Sequence, residues 1–297
     1  MKTSLLSDDK VIITAAITGG IHGKWANAAV PITPEEQAQD ALDCYNAGAA
    51  VLHLHVRGAD GQNTPDLAVY NQAVRLIGEK CPIIRQIGNG IGARLDEKGA
   101  IINATLDQRL NLLNIDPRPE MHTINAGTFE FRTKYGGAVF NNPMSFNEQY
   151  IKGCRERGFG IEIEVYDLGH IANIIELTEK GLLVGPLHFS IVLGIMGGAP
   201  ASASNLFHMV GQLPEGSTWQ VVTIGRYHVR STVIAMSMGG NIRTGLEDTL
   251  HYRKGEPAKS NAQLVERMVR IAREIGREPA TVGEARRMLG LTAHNKK

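Results

Sequence analysis

The sequence predicts an α/β fold, a (β/α)8 TIM barrel with additional C-terminal helices, in a single domain over residues 1–297. Strand-like and helix-like segments alternate along the chain, and eight strands can be counted. No Pro/Ser-rich linker or break in composition divides these segments. Such a barrel takes about 250 residues, so the chain is long enough for it with modest additions. A doubly wound open sheet is the alternative, and the eight similar units favour the barrel.

The predicted strands are short apolar runs rich in β-branched residues, which is typical of parallel strands covered on both faces. They are Val11–Ile17, Ala50–His55, Pro82–Ile87, Met121–Asn125, Gly160–Tyr166, Leu187–Val192, Trp219–Ile224 and Asn241–Thr244. The first is followed by Thr18-Gly19-Gly20 and the third by Gly88-Asn89-Gly90, where glycine indicates a loop.

The predicted helices lie between the strands. Thr33-Pro34-Glu35-Glu36 gives the first helix a capping residue, an early proline and acids in its first turn, and this helix ends near Gly48. The other helices are predicted over Asp66–Lys80, Ala100–Leu110, Phe146–Arg157, Ile171–Glu179, Leu206–Leu213, Val229–Met238, Asn261–Ile275 and Thr281–Leu289. The last two follow the eighth strand and form the C-terminal addition.

Composition excludes several classes of partner. The chain carries 31 Lys and Arg against 30 Asp and Glu, a formal net charge of +1, whereas a nucleic-acid binder would show a basic stripe. No apolar run is long enough to span a bilayer, and the apolar stretch near the start is too short for a signal peptide. Three separated cysteines without a CxxC pair indicate a reducing compartment. We therefore expect a cytoplasmic protein that binds small molecules, without nucleic acid or membrane.

Two histidines in the second predicted strand are the most informative feature of the chain. His53 and His55 are two residues apart, so their side chains lie on one face of the strand and can converge. Neutral imidazole nitrogen is a preferred zinc ligand, so a shared divalent metal is one explanation. A hydrogen-bonded histidine pair near a strand end is the other.

Polar residues recur at or after the carboxyl ends of the predicted strands, where TIM barrels carry their chemistry. They are Thr18, Asn89, Thr123, Asn125, Glu162, Glu164, Arg226, Arg243, Glu247 and Asp248. Taken singly, each could be a loop residue that faces water. A barrel brings them together into one ring.

The segment after the eighth strand offers the best third metal ligand. Glu247 is the candidate, because strands eight and two are near neighbours around a barrel. Asp248 beside it points elsewhere, and Arg243 is placed to pair with it and to hold an anionic substrate. A surface salt-bridge cluster is the alternative interpretation of these three residues.

Four stretches of the sequence resemble the β-keto acid cleavage enzymes, whose best-known activity is 3-keto-5-aminohexanoate cleavage. They are Thr14–Gly19, Gly48–Arg57, Glu162–His170 and Gly239–Asp248, and the resemblance extends from about Val11 to Leu291. It implies a zinc-dependent (β/α)8 barrel that forms a homo-oligomer, a dimer or tetramer. It also implies an enzyme that condenses a β-keto acid with acetyl-CoA, giving acetoacetate and a new acyl-CoA.

The resemblance also assigns roles to individual positions. It implies that His53, His55 and Glu247 bind one zinc per chain. Asp248 matches the acid linked to proton transfer, Arg243 matches the arginine that orients it, and Glu164 is a further catalytic candidate. Thr123 and Asn125 match positions that contact the keto-acid end of the substrate.

The sequence departs from the family pattern at three places. Members that take the aminated substrate carry an acid where this chain has Ile21, followed by His22, so we expect a substrate tail that is not a primary amine and is apolar or anionic. Gly88-Asn89-Gly90 replaces a hydroxyl-bearing stretch, and Asn89 could supply the lost hydrogen bond. Asn241 replaces a usual histidine.

A glycine-rich stretch resembles the family's loop near the CoA entrance. It runs from Gly194 to Pro200, although a flexible connector has a similar composition. Arg226, and with it Arg230, could contact the phosphates of CoA.

Two other functions stay open at this stage. A zinc hydrolase or metal-dependent aldolase could use the same barrel, although hydrolases with such a histidine pair usually carry it on the first strand. A metal-stabilised scaffold or ligand-binding regulator would need no turnover. Structural zinc sites are closed by four protein ligands, whereas three are apparent here.

Overall fold

The computed structural model describes residues 9–95, 101–133 and 136–291. Eight parallel strands form a closed barrel in which each strand pairs with its neighbours in the sequence and β8 pairs with β1. The strands are β1 Ile13–Thr18, β2 Val51–Leu54, β3 Ile84–Ile87, β4 Met121–Asn125, β5 Gly160–Val165, β6 His188–Leu193, β7 Thr218–Thr223 and β8 Asn241–Thr244. The TIM barrel is confirmed, and the open sheet is excluded.

Alternation along each strand decides what faces the barrel interior. On β5, Ile163 and Val165 belong to the apolar core between the barrel and its helices. Glu162, directly before Ile163, accepts hydrogen bonds from side chains of β3 and β7 and therefore lies inside the barrel. The interior of this barrel is thus strongly polar along its axis.

Helices follow the strands and cover the outside of the barrel. They are α1 Pro34–Ala47, α2 Leu67–Lys80, α3 Leu106–Asn111, α4 Met144–Arg157, α5 Leu168–Glu179, α6 Ala203–Val210, α7 His228–Ser237, α8 Asn261–Glu274 and α9 Val282–Met288. The capping residue predicted for α1 is present, since the Thr33 hydroxyl accepts from the Glu36 amide at 3.2 Å. Helices α8 and α9 form the predicted C-terminal addition.

The helix predicted over Ala100–Leu110 is wrong in its first half. Ile101–Asn103 is instead a strand paired antiparallel with Ala93–Leu95. Thr105 then caps α3 in a capping box with Gln108, so the helix begins only after it. The two adjacent isoleucines, Ile101 and Ile102, favour a strand because β-branched residues suit a sheet. Ala100 lies outside the described residues.

Among the residues that the structure describes, three further strand pairs lie outside the barrel. Phe129–Thr133 and Gly136–Phe140 pair antiparallel after β4, in a segment for which no strand or helix is predicted from the sequence. Lys10–Val11 pairs parallel with Glu278–Pro279 and joins the two ends of the fold. His251–Arg253 pairs with Glu256–Pro257. In the described ranges no helix combines the length and apolar character needed to cross a membrane.

Asn241 stabilises the seam where the barrel closes. Its side-chain oxygen accepts from the Ile12 amide at 2.8 Å, and its side-chain nitrogen donates to the Trp219 carbonyl at 3.2 Å. One amide therefore links the starts of β1, β7 and β8. Asn241 therefore has a structural part in the barrel.

Candidate active site

The histidine pair lies at the carboxyl end of β2, as predicted. The Nε2 atoms of His53 and His55 are 3.1 Å apart, and both rings are buried. Gly88, directly after β3, makes room for them, because a Cβ there would overlap the His55 ring and lie 3.0 Å from His53 Nε2. Glycine at this position is therefore a steric requirement of the histidine pair.

Gln86 on β3 fixes the orientation of one of the two rings. Its side-chain nitrogen donates to Glu162 at 2.7 Å, which turns its oxygen toward His53 Nδ1, also at 2.7 Å. The Nδ1 atom of His53 therefore carries the proton, and the lone pair of Nε2 points toward His55. In metal-binding histidines, the ring nitrogen that does not bind the metal usually donates a hydrogen bond, and this bond orients the ring.

Glu247 completes a group that could hold a metal ion. Its Oε1 atom lies 3.7 Å from His53 Nε2 and 4.0 Å from His55 Nε2, and one donor atom from each residue lies within 4.8 Å of the others. The loop after β8 is fixed there by a hydrogen bond from the Glu247 amide to the Ala16 carbonyl at 3.1 Å.

The donor atoms of this group fit a divalent cation. Glu247 Oε2 is buried and has no hydrogen-bond partner within the described part of the chain. Burial, with the nearby charge of Arg243, lowers the pKa of His53 to about 3, and burial likewise lowers the pKa of His55 to about 3. Both rings are therefore neutral at physiological pH, the form in which imidazole binds metals.

Arg243 on β8 is surrounded by three carboxylates. Its Nε and Nη2 atoms donate to the two oxygens of Asp248 at 3.1 and 2.6 Å. Nη2 also donates to Glu247 at 3.1 Å, and Nη1 donates to Glu164 at 3.4 Å. The predicted pairing of Arg243 with Asp248 is therefore present and bidentate, and it lies next to the metal-binding group.

The two other carboxylates around Arg243 differ in their access to the cavity. Glu164 lines the cavity and accepts from the Tyr166 hydroxyl at 3.1 Å. Burial raises the pKa of Glu164 to about 7 against the opposing charge of Arg243. Asp248 is buried behind Arg243 and is not among the residues that line the cavity, and burial raises its pKa against the same opposing charge.

Glu162 is the centre of a hydrogen-bond network beneath the metal-binding group. Besides Gln86, it accepts from Gln220 at 2.9 Å and from Ser190 at 2.7 Å, and His188 lies 3.5 Å away. Burial raises its pKa, but the hydrogen bond and charge of His188 outweigh this and lower the pKa to about 2. A permanently charged carboxylate thus anchors the amide that orients His53.

The residues predicted to contact the keto-acid end occupy one wall of the cavity. Thr123 and Asn125 line it from β4. Asn89 lies behind them. Its backbone amide donates to the Thr123 hydroxyl at 3.1 Å, and its side-chain oxygen accepts from the Asn125 side chain at 2.7 Å. Asn89 therefore positions the wall without lining the cavity itself.

Arg109 on α3 is a buried residue that sequence reasoning missed. Its Nε donates to the Asn89 carbonyl at 2.9 Å, and its Nη2 donates to the Asn142 side chain at 2.5 Å. Its guanidinium also lies over the rings of Phe140 and Phe146, at 4.9 and 4.4 Å from their centroids. It joins the loop after β3 to the end of the hairpin after β4.

The cavity at this end of the barrel has a volume of about 440 Å³. Ile21 and His22 line it from the loop after β1, and the Ile21 side chain is half exposed. Arg57 holds this loop by donating to the backbone carbonyls of Gly19 and His22. Both predicted residues are therefore placed where a substrate could contact them.

Arg226 is not brought into the cavity. Its guanidinium lies 4.7 Å from the ring centroid of Tyr227 and donates to the hydroxyl of that residue at 2.5 Å. It is exposed in the turn after β7, and Arg230 is exposed on α7. Both face solvent at the catalytic end of the barrel, outside the cavity lining.

Comparison with known protein families shows which family this chain belongs to. The family described as beta-keto acid cleavage enzyme matches residues 10–291. The chain belongs to this family. The resemblance seen in the histidine pair and in the stretch that contains Glu247 and Asp248 is thereby confirmed.

Characterised relatives of the family cover almost the whole chain. It is 42% identical to the 3-keto-5-aminohexanoate cleavage enzyme of Fusobacterium nucleatum subsp. nucleatum, over 95% of this chain and 98% of that protein. It is 32% identical to the 3-oxoadipate:acetyl-CoA acetyltransferase of Cupriavidus necator, over 94% of each. The apo structure of ObcA superposes with a TM-score of 0.75 at 21% identity, over 89% of this chain and 66% of that one, and shows the same fold.

Proposed function

We propose that this protein is a β-keto acid cleavage enzyme that uses acetyl-CoA as co-substrate. In the overall reaction, R–CO–CH2–COO⁻ and CH3–CO–SCoA give CH3–CO–CH2–COO⁻ and R–CO–SCoA, so the products are acetoacetate and a new acyl-CoA. The observation that carries the proposal is the convergence of the His53, His55 and Glu247 group with Arg243 on one cavity, in a chain of this family.

We propose that the metal is one zinc ion per chain. Two imidazoles and one carboxylate are a common set of protein ligands in catalytic zinc sites, which keep a fourth position for water or substrate. A zinc ion held there would bind the oxygens of the β-keto acid and stabilise the enolate that forms when the acid loses an α-proton. The described residues supply three such ligands, which supports a catalytic site over a closed structural one.

The carboxylates around Arg243 are assigned to proton transfer. Glu164 reaches the cavity, and its pKa of about 7 suits a group that accepts the substrate α-proton near neutral pH. The positive charge of Arg243 beside it opposes the effect of burial and keeps that pKa from rising further. Asp248, predicted as the acid linked to proton transfer, accepts two hydrogen bonds from Arg243, so we assign it an indirect part, through the position of that guanidinium.

The remaining predicted residues are assigned to binding. Thr123 and Asn125 offer a hydroxyl and an amide to the keto-acid end, and Asn89 holds both in place. Ile21 and His22 border the same cavity. Arg226 is proposed to meet the phosphates of CoA outside the cavity, because it is a solvent-facing cation in the turn after β7.

We further propose a cytoplasmic homo-oligomer, a dimer or tetramer, whose chain is one domain. Three buried cysteines without a disulfide support a reducing compartment. Exposed apolar side chains, such as Trp25 and Phe207, offer surface for subunit contacts. Size-exclusion chromatography with light scattering measures the subunit number directly.

Metal analysis combined with an acetoacetate assay tests the proposed function. The purified protein should contain one zinc per chain and release acetoacetate from a β-keto acid only when acetyl-CoA is present. His53→Ala and Glu247→Ala should lose both the metal and the activity, whereas His251→Ala, at an exposed position, should keep both. Absence of acetoacetate with every member of a broad β-keto acid panel would refute the proposal. Turnover without CoA would instead favour a zinc hydrolase or metal-dependent aldolase.

A further inference from the structure

The cavity is divided into a polar half and an apolar half. The polar half holds the histidines, Glu247, Arg243, Glu164 and the wall from β4. The apolar half lies across the barrel, where the hairpin after β4 and the carboxyl ends of β6 and β7 meet. We define it by Phe129, Phe140, Val192, Ile195, Met196 and Ile224.

The apolar half is packed as a wall. Phe129 stacks on Tyr166 with ring centroids 4.0 Å apart and meets Phe140 edge to face at 5.7 Å. Val192 is buried in the same cluster, and Ile195 and Ile224 are partly buried against it. The wall therefore has a fixed shape and presents carbon atoms to whatever enters.

Arg243 and Glu164, two of the charged residues that line the cavity, are already paired with other side chains of the site. Arg243 is bound by three carboxylates, and Glu164 by Arg243 and Tyr166. None of the six side chains that define the apolar half is ionisable. A charged group buried against this wall would lose its hydration without gaining an ion pair, which is strongly unfavourable.

From this division, and resting on the proposed function, we infer that the tail of the β-keto acid is an uncharged alkyl chain seated against the apolar half. The substrate class is the straight-chain 3-oxo acids, such as 3-oxohexanoate. The exposed Ile21 on the other side of the cavity adds no charge to this environment. Of the apolar and anionic tails left open by the sequence, the structure thus selects the apolar one.

Three six-carbon β-keto acids provide a matched test on the wild-type enzyme. 3-Oxohexanoate has a neutral tail, 3-oxoadipate ends in a carboxylate, and 3-keto-5-aminohexanoate carries an ammonium group. With saturating acetyl-CoA, kcat/KM should be at least about tenfold higher for 3-oxohexanoate, and it should fall about fourfold when one methylene is removed. Equal or higher kcat/KM with either charged acid overturns the inference but leaves the proposed function intact. If none of the three yields acetoacetate but another acid of the broad panel does, the inference is overturned and the proposed function stands; if no acid of the panel does, the proposed function itself fails.

A substitution in the apolar half locates the tail. Ile224→Lys introduces a cation at a partly buried position of the apolar half. It should lower kcat/KM for 3-oxohexanoate about tenfold or more and raise the relative value for 3-oxoadipate. Val184→Lys, at an exposed position before β6, is the matched control and should change neither. Zinc content of one per chain checks that both variants fold.

The alternative occupant of the apolar half is the thioester arm of acetyl-CoA. In that case Ile224→Lys would raise the KM for acetyl-CoA with every keto acid and leave the order of preference among the three acids unchanged. That result would overturn the placement of the tail.

Discussion

Glu164 combines deep burial with direct access to the cavity. Because burial raises its pKa to about 7, it gains a proton as the pH falls through neutrality and can then no longer accept one from the substrate. We predict that kcat/KM for the keto acid falls tenfold per pH unit below about pH 7. Glu164→Gln should lower kcat by about 100-fold or more and remove this inflection, with zinc content unchanged. A variant that keeps the wild-type pH profile would show that another group is the base.

Glu162 lies outside the cavity lining, and its hydrogen bond from Gln86 connects it to the His53 ring. Glu162→Gln should free the Gln86 amide to turn, so that the His53 ring is no longer held. We predict a fall in zinc affinity of about 10- to 100-fold, measured by competition with a chromophoric chelator. Ser190→Ala is the matched control, because Ser190 binds the other oxygen of the same carboxylate. Equal losses in the two variants would mean that the network stabilises the fold in general.

Sequence spacing revealed some residues of the site and concealed others. His53 and His55 were predictable because two polar residues on one strand face give a clear pattern, and Glu247 followed from the strand order of a barrel. Gln86 and Arg109 have no such pattern: each stands among other polar residues, in an element whose sequence does not show which of them faces the site. Their importance comes from partners 76 and 33 residues away, Glu162 and Asn142.

At the scale of the element, the backbone at the end of β3 leaves no space for a side chain beside the rings of the histidine pair. Gly88→Ala would place a methyl group into the His55 ring, so the ring must turn away from the position at which it faces His53. We predict loss of most bound zinc and at least about a tenfold fall in kcat, with the secondary structure unchanged by circular dichroism. Gly283→Ala in α9, where the nearest atom to the new Cβ would be 3.9 Å away, is the control. Full zinc content in Gly88→Ala would contradict this steric argument.

Elements buried on both faces were the easiest to predict. All eight barrel strands occur where apolar β-branched runs predicted them, because parallel strands need apolar side chains toward their helices. The segments around Ile101–Asn103 and Phe129–Thr133 lie outside the barrel. Short exposed hairpins are not distinguished from loops or helix starts by composition, so the sequence did not reveal them.

At the scale of the whole molecule, barrel closure assembles the site. Glu247 follows β8 and the histidines end β2, and both strands pair with β1. Residues almost 200 positions apart therefore converge only if β8 closes onto β1 in the correct register. Side chains that hold this seam thus support the metal-binding group from a distance.

Asn241 is the side chain that bridges this seam. Asn241→Ala would leave the Ile12 amide and the Trp219 carbonyl without the partners that they have now. An unsatisfied buried group costs about 1–3 kcal/mol, so we predict a loss of about 2 kcal/mol in the free energy of unfolding, measured by urea denaturation. Asn114→Ala, which removes exposed hydrogen bonds to Asn111 and Arg157, should lose less than about 0.5 kcal/mol. Folded Asn241→Ala should keep its zinc and a kcat within about twofold of wild type, because the catalytic end of the barrel does not include this residue. Unchanged stability would mean that the backbone pairing of β8 with β1 holds the barrel closed by itself.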